Sequence, residues 1–196
     1  MQRKEDALPL AEEEKEPLVR QASWPCRLAL YLGLPFSLAA AGWVSAGRLI
    51  FGAAGQLLPV LMLTLGPSLL LILLLAYRWM LKDARCYTGP RATTPLLACV
   101  QAVTGLLALI FGFLCPDRID GRTVSAAAAV WGEDFIGLSA GFANTFGILT
   151  FCSAFSLLLL ARSQYQRSQR QLAGLSEEQR EELERSQSPY EFLDDL

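Results

Sequence analysis

The sequence contains no histidine among its 196 residues. That absence removes histidine-ligated metal sites, Ser-His and Cys-His nucleophile pairs and imidazole proton switches together. Five cysteines, Cys26, Cys86, Cys99, Cys115 and Cys152, fall without CxxC spacing or evident pairs, so neither a disulfide framework nor a zinc site is expected. Charge is scarce as well, at 18% of residues with a formal net charge of −2. A nucleic-acid partner requires a basic footprint that displaces counterions, and no nucleic acid is expected here. Asn144 is the lone asparagine, and Thr145 and Phe146 after it do not complete a glycosylation site. The first 27 residues are charged and hold no apolar stretch, which predicts no cleavable signal and makes the first apolar run the membrane address. Glu133 and Asp134 pair beside an apolar run without a histidine or basic neighbour in sequence, so a lipid-modifying enzyme is disfavoured. No catalytic residue, metal or cofactor is expected.

What the chain does have is hydrophobic residues, 53% of the total. They form four runs, about 28–47, 57–80, 95–114 and 136–161, each long enough at 1.5 Å per residue to cross a hydrocarbon core of about 30 Å. The expected fold class is an all-α membrane protein: an antiparallel bundle of four transmembrane helices with flexible cytosolic termini. Three regions follow: a disordered N-terminal segment 1–27, the transmembrane domain 28–161, and a polar tail 162–196 with a short helix over 177–185. Pro35 and Pro67 interrupt the first two spans and release the carbonyls of Tyr31 and Leu63. Gly52 and Gly55 mark the first turn. Residues 124–131 form a short apolar patch in the second outer loop, either a surface helix or an early start to the fourth span.

Arg20, Arg27, Arg78, Lys82, Arg85, Arg91, Arg162, Arg167 and Arg170 fall at one side of these spans, and Arg48, Arg118 and Arg122 at the other. Lysine and arginine favour the cytosolic side, which places both termini there. Arg48, at the edge of the first span, is expected to snorkel into headgroups. This layout resembles tetraspan proteins in topology only. The first outer loop is too short for the claudin pattern, and the second lacks the cysteine-rich tetraspanin domain.

Small and polar residues recur at helical spacing in two spans. Gly105, Ala108 and Gly112 align in the third, and Gly137, Gly141 and Asn144 in the fourth, where "GLSAG" supplies a GxxxG step. Antiparallel spans bring Gly141 near the level of Gly112 and Asn144 near that of Ala108, predicting a tight contact between the two stripes. Cys26 and Cys86 sit beside cytosolic span ends, where a thioester-linked acyl chain can enter the bilayer.

Both ends carry sorting-like patterns. Tyr190 and Leu193 spell Tyr, two residues, then a bulky aliphatic, the pattern read by clathrin-type cargo adaptors, and it also suits an autophagy-receptor hook. Glu14, Leu18 and Val19 resemble an acidic dileucine address in which valine replaces the second leucine. The function these features favour is a non-enzymatic accessory or trafficking protein that binds the lipid bilayer and other membrane proteins, a homo-oligomer included. Its expected location is the plasma membrane or an endosome or lysosome membrane, with endoplasmic reticulum and Golgi open. The alternative is a small oligomeric channel or transporter using the polar face of the third and fourth spans.

Overall fold

The computed structural model describes Arg20 and residues 22–173. The expected flexible ends lie mostly outside that range. Ser23 stands in extended backbone at the start of α1, Trp24–Tyr31, with Pro25 in the first turn, where a missing N–H costs nothing. The helix is interrupted at Leu32 and resumes as α2, Gly33–Ala46. This break falls one residue after Tyr31, whose carbonyl Pro35 releases. A 3₁₀ turn, Gly47–Phe51, follows and ends at Gly52, whose φ of 63° is the left-handed conformation glycine accommodates.

The second long helix has three parts: α3, Leu58–Val60; a π-helical turn, Leu61–Leu65; and α4, Gly66–Ala84. Pro67 stands two residues after the wide turn, as expected where the ladder loses one N–H donor. Thr94 caps α5, Pro95–Leu114, by accepting from the Leu97 N–H at 3.4 Å. After α5 comes a hairpin of β1, Asp117–Ile119, and β2, Arg122–Val124, paired antiparallel with Arg118 opposite Thr123. Asp120 and Gly121 make its turn at φ 48° and 79°, both left-handed as a two-residue type I′ connection requires. The apolar patch then forms a separate surface helix, α6, Ala126–Trp131, capped by the Ser125 hydroxyl, which accepts from the Ala128 N–H at 3.0 Å.

The last helix, α7, runs Phe135–Leu172 for 38 residues, about 57 Å at 1.5 Å per residue. The helix runs past Ala161, the expected end of the apolar span. Residues 162–172 are polar yet continue the helix, because Ser168 remains buried against α4. Four helical stretches are long and apolar enough to cross a membrane: Gly33–Phe51, Leu58–Ala84, Pro95–Leu114 and Phe135–Leu172. α7 packs on both α4 and α5, and α2 closes the other side against the same two helices. Leu30, Val44, Leu69, Leu73, Leu97 and Leu157 meet at their shared core.

The buried positions of α5, Leu97, Gln101, Thr104, Ala108 and Phe111, alternate in steps of four and three, as do Ala143, Thr150, Ala154, Leu157 and Ala161 of α7 around Gly147. Such spacing keeps one stripe of each helix on its neighbour. Hydroxyls within the core are mostly returned to their own helix. Ser37, Ser45 and Thr150 donate to the carbonyls of Gly33, Ala41 and Phe146, and Thr104 bonds both Val100 and Ser153.

Candidate functional site

At the hairpin end, Asp117 joins the two loops. Its Oδ2 accepts from the Gly55 N–H at 2.7 Å, and its Oδ1 accepts from the N–H groups of Leu57 and Arg118 at 2.9 and 2.7 Å. Arg48 Nη1 stands 3.3 Å from Oδ2, and both side chains are essentially inaccessible. Gly55 is obligatory, since a Cβ there would collide with the Arg118 carbonyl. The expectation that Arg48 snorkels outward is therefore corrected: the hairpin folds over it and holds it by charge. The ion pair aside, its guanidinium nitrogens make no hydrogen bond among the described residues. Burial pushes the Cys115 thiol above its ordinary value, with Arg48 partly opposing and Asp117 adding to the rise, so the thiol is held neutral and inert.

At the opposite end, Arg20, α4, the α4–α5 loop and α7 converge on Asp83. Its Oδ2 receives Arg20 Nη1 at 2.8 Å and its Oδ1 receives the Ser168 hydroxyl at 2.6 Å. Arg20 also donates to the Ala92 carbonyl at 3.0 Å and lies over the Tyr87 ring at 3.8 Å. Tyr87 Oη is 3.0 Å from Ser168 Oγ. These contacts place residue 20 and the far end of α7 at the same end of the molecule. Lys82 caps Trp79 at 4.6 Å, and Trp79 packs on Tyr165.

The helix stripes read from the sequence are separated by the structure. Gly105 and Gly112 face α2, where a Cβ would press on Phe36 and Trp43 at 2.6 Å, and Ala108 is buried nearby. Gly137, Gly141 and Asn144 point the other way. Nothing lies within 4 Å of a Cβ on either glycine, and Asn144 is exposed. The close approach of α5 and α7 is made instead at Gly147, against the Phe111 ring at 3.0 Å. The physical reason is phase: the buried stripe through Ser139, Ala143 and Gly147 lies two residues, about 200°, around the helix from the expected one. An outward stripe of small residues thus carries a carboxamide that makes no hydrogen bond to a described residue.

Of the acylation candidates, Cys86 is partly accessible, whereas Cys26 is 2% exposed and accepts the Ser23 hydroxyl at 3.1 Å. Glu133 and Asp134 are exposed, and no cluster of metal-ligating side chains occurs among the described residues. Tyr190, Leu193, Glu14, Leu18 and Val19, with the expected helix over 177–185, lie outside the described residues. The sequence reading missed the hairpin that Asp117 anchors, although Asp120-Gly121 between two short β-prone runs signals a tight hairpin. It also missed Asp83, since nothing local announces an ion pair across 63 residues of chain. No protein family matches this chain, and no curated protein or solved structure resembles it significantly.

Proposed function

We propose that this chain is a non-enzymatic, multi-pass membrane accessory protein: an antiparallel bundle of four transmembrane helices that binds another membrane protein sideways through α7 and is sorted through its cytosolic tail. Membrane insertion is supported by the four apolar helices and by large hydrophobic side chains left outward on all of them, among them Leu38, Leu63, Leu106 and Ile148. In water such a shell would be an aggregation surface. In lipid it is the ordinary exterior.

The observation that carries the partner-binding reading is the outward Gly137, Gly141 and Asn144 stripe. Asn144 stands about 14 Å along α7 from Phe135, inside the hydrocarbon by the span length. An unpaired carboxamide is unfavourable there, and a second helix seated on the two glycines would supply both close van der Waals contact and a hydrogen bond. That helix belongs to a second copy or to a different membrane protein. The channel alternative draws less support, because the void at the helical core measures about 10 Å³, near the minimum for one water, and core hydroxyls bond mainly within their own helices. Sorting among plasma membrane, endosomes and lysosomes rests on Tyr190 and Leu193.

A photo-crosslinking residue at Leu138, on the outward side of α7, tests the partner-binding reading in living cells. The expected outcome is a discrete protein adduct that falls about fivefold in Asn144→Leu, the equivalent of one interhelical hydrogen bond of about 1 kcal/mol, and further in Gly141→Leu. Adducts to lipid only, or a protein adduct untouched by both changes, would refute it.

A further inference from the structure

Along α4 one outward stripe changes character. Leu71 and Leu75 are exposed and apolar, and the same face continues at helical spacing through Arg78, Lys82 and Arg85. Such a change on one face marks the level at which hydrocarbon gives way to headgroups. An aromatic pair stands at the same level, where Trp79 of α4 packs on Tyr165 of α7 with ring centroids 5.3 Å apart. Rings of this kind belong at the membrane interface. Arg162 is exposed, lies one turn before Tyr165 and shares its face of α7. Arg78, Lys82 and Arg85 from one helix and Arg162 from the other thus flank the seam that the two rings close.

These cations have no counter-charge among the described residues. Lys82 Nζ rests on the Trp79 ring at 4.6 Å and stands 5.8 Å from that of Tyr165, and it makes no hydrogen bond or ion pair to a described residue. Arg78, Arg85 and Arg162 are likewise unpaired with any described residue. Asp83 is the one described carboxylate at this end, and it is buried and already taken by Arg20 and Ser168. Three of the four cations are guanidinium groups, whose planar fork meets phosphate oxygens two at a time.

We propose that this seam binds the headgroup of a polyphosphorylated lipid of the cytosolic leaflet, a phosphatidylinositol bisphosphate, with its phosphates among Arg78, Lys82, Arg85 and Arg162 and its acyl chains along Leu71 and Leu75. Position favours a lipid over a soluble phosphate. Arg78, Lys82 and Arg162 lie within the apolar spans Leu58–Ala84 and Phe135–Leu172, so the bilayer itself holds a lipid phosphate at their level. Clustering favours several phosphates over one, because four cations gathered at one seam exceed what a headgroup of single charge neutralises. Basic sites between spanning helices on the cytosolic side suit such headgroups. This inference rests on the proposed membrane insertion and orientation, and not on the α7 partner.

The test uses the full chain in phosphatidylcholine nanodiscs, with insertion verified by protection of its spans from protease, so that failure to insert is scored separately from failure to bind. A photoactivatable phosphatidylinositol bisphosphate should label peptides of α4 and α7, and should do so more strongly than a phosphatidylserine probe at matched charge. Arg78→Gln, Lys82→Gln and Arg162→Gln should each reduce labelling about fivefold, the share of one cation at a membrane surface, whereas Arg27→Gln and Arg91→Gln, on α1 and the α4–α5 loop at the same end, should leave it within about twofold. All five side chains are exposed or half-buried, so these changes spare the fold. Equal losses in all five variants, or equal labelling by phosphatidylserine at matched charge, would reduce the seam to general attraction between a basic surface and an anionic bilayer and overturn the proposal. The chain's own acidic segment is the competing occupant. Labelling that emerges only when Glu177, Glu178, Glu181, Glu182 and Glu184 are all changed to Gln would assign the seam to that segment and overturn the proposal as well.

Discussion

Arg48 and Asp117 show how much two side chains decide at the hairpin end. The carboxylate serves three backbone N–H groups as well as the guanidinium, so it organises the first loop and the hairpin at once. Asp117→Ala leaves a buried cation alone and three donors unpaired, and breaking a buried pair in this way costs about 3–5 kcal/mol. We expect Asp117→Asn, which keeps one acceptor, to lose less. Unfolding titrations in detergent micelles check the order, and equal stability of all three forms would show that the clasp contributes nothing. Cys115 gives a second readout. Its thiol is held neutral by burial, and removing Asp117 takes away a charge that raises its pKa, so alkylation at neutral pH should be slow in the natural protein and faster in Asp117→Ala.

At the scale of elements, two glycine stripes that look alike in sequence have opposite fates. Gly112 lies under Trp43, whose indole N–H donates to the Leu109 carbonyl at 3.0 Å and whose ring begins a chain of edge contacts through Phe51 and Phe113 to Trp131. Gly112→Leu has to displace that indole and should lower the folded yield severely. At Gly141 a Cβ meets nothing within 4 Å among the described residues, and Gly141→Leu should change stability within about 0.5 kcal/mol, as surface substitutions do. Detergent-resistant folded yield compares the two, and similar losses would mean that α7 packs through Gly141 after all. The sequence contained a clue to the correct stripe. The run through Ser139, Ala143, Gly147, Thr150, Ala154, Leu157 and Ala161 keeps its spacing for the whole span and continues to Ser168, whereas the stripe through Gly137 and Asn144 ends at Ile148. Length of the pattern separates a packing seam from a local patch better than the presence of GxxxG.

At the scale of the molecule, the two polar clusters mark two ends. Arg20, Asp83 and Ser168 gather at one, and Arg48, Asp117 and the hairpin at the other. With lysine and arginine concentrated at the first, that end is expected to face the cytosol. Single cysteines at Ser23, Gly89 and Gly121 in a cysteine-free variant should react with an impermeant thiol reagent on intact cells only at Gly121, whose φ of 79° lies at the exposed hairpin tip. Labelling at Gly89 without permeabilisation would invert the topology. Following the Gly121 label over time measures uptake in the same experiment. Tyr190→Ala and Leu193→Ala should each slow it, and unchanged uptake in both would remove the tail from the sorting reading.

The sequence by itself determined the four apolar helices, the proline interruptions near Leu32 and before Pro67, and the turn at Gly52, because span length, a missing N–H and a positive φ are properties of short stretches of chain. It determined the candidates for close packing without choosing among them. Only the tertiary structure decided which face of α7 is inside, that Arg48 is covered rather than snorkelling, that the helix persists through residues 162–172, and that Lys82 stands at the seam of α4 and α7. Each of these depends on a partner dozens of residues away: Phe111 for Gly147, Asp117 for Arg48, Asp83 for Ser168, Tyr165 for Lys82. Helical periodicity repeats on every face that carries small residues, and rotation about the helix axis is fixed by the neighbours that fill the space.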